Sequence, residues 1–154
     1  MVGPRLRRSA RVFLFSPEGE ILLIRFAAEL EGKPFIFWVT LGGEIEPGEG
    51  EQPAASRELH EELGITPKLR GPVHRESGSE YVHLGEHVRN ADVFFAATCE
   101  RDAPKLSGLT DDEIRLMQEA RWWTVAELRT TDERLYPERL PELATEVFNS
   151  LKPA

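Results

Sequence analysis

A single cysteine, Cys99, in 154 residues has no partner for an internal disulfide and cannot supply a cysteine metal cluster. Within its alternating apolar run it reads as a small buried hydrophobe. No apolar stretch reaches the ~18 residues of a transmembrane helix, and the start of the chain lacks the hydrophobic core of a secretory signal. The expectation is a cytoplasmic protein with no membrane partner. Positive charge is also scarce: 19 Lys and Arg against 27 Asp and Glu leave a net charge of −8, which argues against a polynucleotide partner. Arg5, Arg7, Arg8 and Arg11 make a basic start too short to coat a nucleic-acid face, and residues 1–10 read as a short arm or an edge strand. Repeats and linkers are missing too, so residues 1–154 read as one mixed α/β domain.

Arg11–Phe15 and Ile21–Ile24 have the composition of short strands, with a turn at Ser16–Gly19, and pair as a hairpin in this reading. Glu29–Pro34 reads as a polar loop and Phe35–Leu41 as an aromatic strand running into Gly42-Gly43. A helix is expected over Gln52–Leu63, with Pro53 near its first turn and Gly64 stopping it. Leu69–Glu76, Tyr81–Leu84 and Ala91–Cys99 are strand candidates, and Arg101–Glu119 reads as a long polar loop. A short strand over Arg121–Val125, a helix capped by Thr124, and a last helix from Pro141 to Phe148 complete the pattern.

The acidity has a location. Residues 43–65, GEIEPGEGEQPAASRELHEELGI, hold seven acids and one base, a net charge of −6, and the other 131 residues carry −2. At about 100° per residue, Glu58, Glu61 and Glu62 fall within one helical arc of about 100°, beside a separate stripe of Ala55, Leu59 and Leu63. Like charges four apart repel. A solvated helix face is the plain reading of such an arc; a hard divalent cation, held by oxygen ligands, is the functional one. Gly42 and Gly43 allow a tight turn that aims a carbonyl oxygen at a cation. Glu49, eight residues before Arg57, is placed to make a bidentate ion pair that ties loop to helix.

Taken together, Gly43, Glu49, Arg57, Glu58, Leu59, Glu61, Glu62, Gly64 and Ile65 fill every specified position of the box of the Nudix hydrolase family, which this sequence closely resembles. The resemblance implies an α/β/α sandwich around a mixed β-sheet, with the box as a loop–helix–loop. It also implies a MutT-like pyrophosphohydrolase using Mg²⁺ or Mn²⁺ on a small-molecule nucleotide substrate. By position, Glu58, Glu61 and Glu62 become the metal-binding and catalytic carboxylates, with the Gly42 carbonyl a further ligand. A later glutamate often joins them; Glu119, before Arg121-Trp122-Trp123, fits that place, and Glu113 competes for it. Glu61 and Glu119 both stand as candidates for the general base. A homodimer is compatible with the resemblance.

The substrate expected is a nucleoside triphosphate or another nucleoside-diphosphate derivative. A dinucleoside polyphosphate or a nucleotide sugar is the alternative within the same chemistry, and a non-catalytic nucleotide sensor is the alternative outside it. Tyr81, sixteen positions beyond Ile65, is a weak pointer to dinucleoside polyphosphates. Phe35, Phe37 and Trp38 divide between core and base stacking. Trp122 and Trp123, adjacent on a strand, must point to opposite faces. Arg25, Arg75 and Arg89 are candidate phosphate partners. His74, His83 and His87 have no ligand spacing, and His83 and His87 read as surface residues.

Overall fold

The strand over Arg5–Phe15 (β1) sends Val12 and Leu14 to one side and Phe13 and Phe15 to the other, all four fully buried. A strand apolar on both faces belongs inside a sheet covered on both sides. The computed structural model, which describes residues 3–83, 85–105 and 117–152, places it there. Its neighbours are β5 (Glu86–Thr98), parallel along its whole length, and β3 (Lys33–Glu44), antiparallel from Ser9 to Val12. Residues 5–10 are therefore strand paired to β5, and Ser9 and Ala10 have partners on both sides.

The remaining strands are β2 (Ile21–Leu30), β4 (Arg70–His83), β6 (Met117–Trp123) and β7 (Leu135–Tyr136). They lie in the order β6–β2–β4–β5–β1–β3–β7, and β2 also bonds β3, so the mixed sheet curls back on itself. Helix α1 (Glu51–Leu63) lays Ala54, Ala55, Leu59 and Leu63 on one face, against Val12, Leu14 and Phe95. On the other face α2 (Val125–Thr130) and α3 (Leu140–Leu151) bring Leu128, Leu143 and Val147 to Phe13, Phe15, Phe94 and Trp123. The result is an α/β/α sandwich with two apolar layers. Trp122 packs on the first and Trp123 in the second, as adjacent strand residues must. Among the described residues no helix is long and apolar enough to cross a membrane.

Several local expectations change. Glu29–Pro34 is not a loop: β2 and β3 pair up to Leu30 and Lys33, and Glu31 (φ 53°) and Gly32 (φ 78°) make the two-residue turn. Ile21–Ile24 meets β1 at one residue pair, Phe15 with Ile21; its long partners are β3 and β6. Leu69–Glu76 and Tyr81–Leu84 merge into the single strand β4, irregular between Arg70 and His74 and between Ser77 and Glu80; Leu84 lies outside the described residues. Thr124 caps α2 in a reciprocal box with Glu127.

Candidate functional site

The segment between β3 and α1 is organised by Arg57. Its Nε donates to Glu49 Oε2 at 2.7 Å and its Nη2 to Glu49 Oε1 at 2.9 Å, the bidentate pair expected from the spacing. Nη2 also reaches the Glu44 carbonyl at 3.1 Å, so one guanidinium ties the end of β3 and the loop to the helix. Glu49 Oε1 accepts the Glu46 N–H as well, at 3.0 Å. The Arg57 hydrogen bonds, helped by the Glu46 N–H, hold the Glu49 carboxyl down at about 2. The same pairing with Glu49 raises Arg57 further above its ordinary range, although burial opposes it.

Nη1 also lies 3.8 Å from Glu46 Oε1 in the loop, and its two hydrogen bonds go to the acidic arc. Nη1 donates to Glu58 Oε1 at 3.0 Å and to Glu61 Oε2 at 3.1 Å. The arc is not a uniformly solvated face: Glu58 is 7% exposed and Glu62 1%, whereas the Glu61 side chain is half exposed. Burial pushes the Glu58 carboxyl up, and Arg57 offsets that only in part. Gly43 lets Glu58 lie where it does, because a Cβ at that position would fall 2.5 Å from its carboxylate. Gly42 has φ +139°, and its N–H donates to Glu62 Oε1 at 3.2 Å. Box loop, helix and β3 thus bring Gly42, Glu58, Glu61 and Glu62 together.

Every candidate ligand here is an oxygen, which suits a hard divalent cation, and the cost of charge on buried Glu58 is one that a cation relieves. Among the described residues no group of three or more His, Cys, Asp and Glu is arranged to hold a metal; Glu58 and Glu61 converge on Arg57 Nη1 instead. Glu119 sits exposed on β6, opposite Arg25 of β2, and among the described residues the ion pairs of Arg57 go to Glu46, Glu49, Glu58 and Glu61 and not to it. Glu113 lies outside the described residues.

A cavity of about 560 Å³ opens on the α2–α3 side of the sheet. Phe35, Phe37, Tyr81 and Tyr136 give it aromatic walls, and Arg11, Asn90 and Asp92 are its polar groups from β1 and β5. Arg11 lies opposite Gly42 in the β1–β3 ladder and donates to the Thr40 carbonyl at 3.0 Å. Burial works against its charge, but Asp92, Tyr81, Tyr136 and Glu62 more than offset this and raise it. Arg11 is therefore the residue shared by the cavity and the field of the acidic helix.

Phe35 and Phe37 line this cavity, and Trp38 is core. Arg75 is taken up by a two-point pair with Glu51 at 2.9 and 3.1 Å, and Arg25 and Arg89 lie on β2 and β5 away from the cavity lining. His83 is not a surface residue: it is half-buried beside Phe26, and burial, with Arg7, lowers its imidazole to about 4. Arg11, Asn90, Asp92 and Tyr136 escape a reading of the sequence by motif. The available signal was periodicity, since Asn90 and Asp92 share the strand face of buried Phe94 and are polar where the pattern calls for apolar.

Residues 5–143 match the NUDIX domain. An isopentenyl-diphosphate Delta-isomerase of Streptomyces griseus is 42% identical over 65 residues, covering 42% of this chain and 33% of that protein. An RNA pyrophosphohydrolase of Erythrobacter litoralis is 38% identical over 71 residues, 46% of this chain and 42% of that one. These matches span well under half the length of the curated relatives. The crystal structure of a MutT protein from Methanosarcina mazei Go1 superposes with a TM-score of 0.69 over 99% of this chain and all of that one, at 19% identity, a likeness of fold. With the match running from β1 into α3, the chain belongs to the NUDIX domain family.

Proposed function

We propose that the chain is a divalent-metal-dependent pyrophosphohydrolase that cleaves a phosphoanhydride bond in a nucleoside triphosphate or another nucleoside-diphosphate derivative. The observation that carries this is the gathering of Glu58 and Glu61 on one guanidinium, with Glu62 beside them; a nucleoside-sized cavity on the other face of the sheet is linked to them through Arg11, whose charge Glu62 helps to hold. In this reading Glu58, Glu61 and Glu62, with the Gly42 carbonyl, hold Mg²⁺ or Mn²⁺. The bound ion supplies charge neutralisation at the phosphates and activation of water. Glu49 and Arg57 keep the loop in place, Arg11 faces the substrate's negative charge, and the aromatic walls of the cavity take the base. Half-exposed Glu61 is the better placed proton acceptor, with Glu119 on β6 the alternative.

A dinucleoside polyphosphate is the second reading, supported by Tyr81 on the cavity wall. The test is a panel with Mg²⁺ and Mn²⁺ of nucleoside triphosphates, dinucleoside polyphosphates, nucleotide sugars and, because of the relatives, isopentenyl diphosphate. Products are resolved to identify the broken bond. E61Q and E62Q are expected to lose about 100-fold or more in kcat while still folding. Binding without turnover of any member of the panel would refute hydrolysis and favour a nucleotide sensor.

A further inference from the structure

Asp92 is 5% exposed, lies on β5 and lines the cavity. Its two oxygens are treated differently. Oδ2 accepts from Asn90 Nδ2 at 2.9 Å and from the Tyr136 hydroxyl at 2.6 Å. Asn90 Nδ2 also donates to the Tyr136 oxygen, and Asn90 Oδ1 accepts the Ser79 N–H at 2.6 Å, so the Asn90 amide is pinned in one orientation. Oδ1 is buried and accepts no hydrogen bond among the described residues. A buried carboxylate oxygen without a donor is costly, and native structures seldom leave one unexplained. Asn90 and Tyr136 are both committed to Oδ2, and Arg11 on the same wall faces Asp92 with its charge but gives Oδ1 no hydrogen bond, so a further donor can arrive from the cavity that Asp92 lines. The walls there are Phe35, Phe37 and Tyr136, surfaces that favour a flat ring over a sugar.

We infer that Asp92 is a specificity-determining residue: its Oδ1 accepts a hydrogen bond from an N–H on the edge of a nucleobase seated in the cavity. This rests on the reading of the cavity as the nucleoside site. An acceptor held this rigidly does more than add affinity. A base with no N–H leaves Oδ1 buried and unpaired, and a site built to bond a group rejects analogues lacking it. The neighbours also determine what an amide here would do. The donors of Asn90 and Tyr136 keep an oxygen at the Oδ2 place, so D92N puts its NH₂ at the Oδ1 place and turns an acceptor into a donor.

The experiment compares ATP, GTP, CTP and UTP with purine riboside triphosphate, whose base carries no N–H, in the wild type and in D92N. It reads kcat/KM and, in parallel, the calorimetric affinity for the corresponding 5′-monophosphates. The wild type is expected to prefer its best natural nucleotide over the purine riboside compound by at least about tenfold, and D92N to reduce that ratio at least about tenfold. Equal treatment of the two bases by the wild type overturns the inference whether or not D92N folds. An unchanged ratio in a D92N protein that melts like the wild type overturns it too. Absence of hydrolysis by the wild type refutes the enzymatic reading instead, and the monophosphate affinities then decide Asp92 by the same ratio.

Discussion

The nearest atoms a Cβ on Gly43 would meet belong to the carboxylate of Glu58, the far end of a flexible side chain, whereas one on Gly42 would lie 2.2 Å from the Ala10 carbonyl in β1. Gly42 also has the positive φ that side chains avoid. The two neighbours should therefore fail differently. G43A is expected to fold with a near-normal melting temperature but to lose at least about tenfold in turnover, because Glu58 must leave its place. G42A is expected to lose about 2–5 kcal/mol of stability by denaturant titration, from backbone strain and overpacking together. Equal stability losses in the two variants would refute the distinction. His83 supplies a second residue-scale case. Burial and Arg7 hold its imidazole at about 4 against an ordinary 6.5. Between those values the unfolded chain binds a proton that the folded one refuses, so the stability is whole above pH 6.5 and lost as the pH falls toward 4. The melting temperature of the wild type should drop across that window more steeply than that of H83F; parallel curves would contradict it.

At the scale of elements, α1 and the loop before it are one unit, joined by the two-point Glu49–Arg57 pair and the Glu44 carbonyl. Lysine has the charge of arginine but not the fork, so R57K should resemble R57A more than the wild type. Both are expected to raise the rate of proteolysis within the loop and to weaken Mg²⁺ binding at least about tenfold, with the fold retained. Wild-type metal affinity in R57A would refute the role. This pairing was legible in the sequence because it is local and its spacing is specific. The Glu31-Gly32 hairpin was not, since Glu29, Lys33 and Pro34 beside it read as a polar loop and break any apolar alternation. The continuity of β4 was hidden for a related reason: its two irregularities and residues such as Pro72 and Gly78 look like breaks, while the ladder to β5 resumes beyond each.

The whole molecule divides its labour across the sheet, with the acidic helix on one face and the cavity, α2 and α3 on the other. Layering was readable from the chain, because α1 and the last helix each advertise an apolar stripe. The cavity was not, since its polar groups come from β1, β4, β5, β7 and the segments flanking β7, which are distant in sequence and meet only in the folded sheet. Both layers are built of apolar side chains, which an ion does not bind, and Arg57 already balances part of the acidic loop. Stripping divalent ions with EDTA should therefore leave one cooperative melting transition, and Mg²⁺ should raise its midpoint by binding the folded state alone. A protein that unfolds on chelation would show that the ion is part of the core structure.

The long parallel pairing of β1 with β5 also bears on how the chain is made. Arg5 lies beside Val88 and Phe15 beside Thr98, so β1 leaves the ribosome ahead of β5 and waits for it to be synthesised before its longest ladder can form. Until then its alternating Val12, Phe13, Leu14 and Phe15 present apolar side chains on both faces to other nascent chains. The basic residues that open this strand, Arg5, Arg7 and Arg8, set three like charges beside that adhesive segment, the placement by which charged gatekeepers keep apolar strands dispersed.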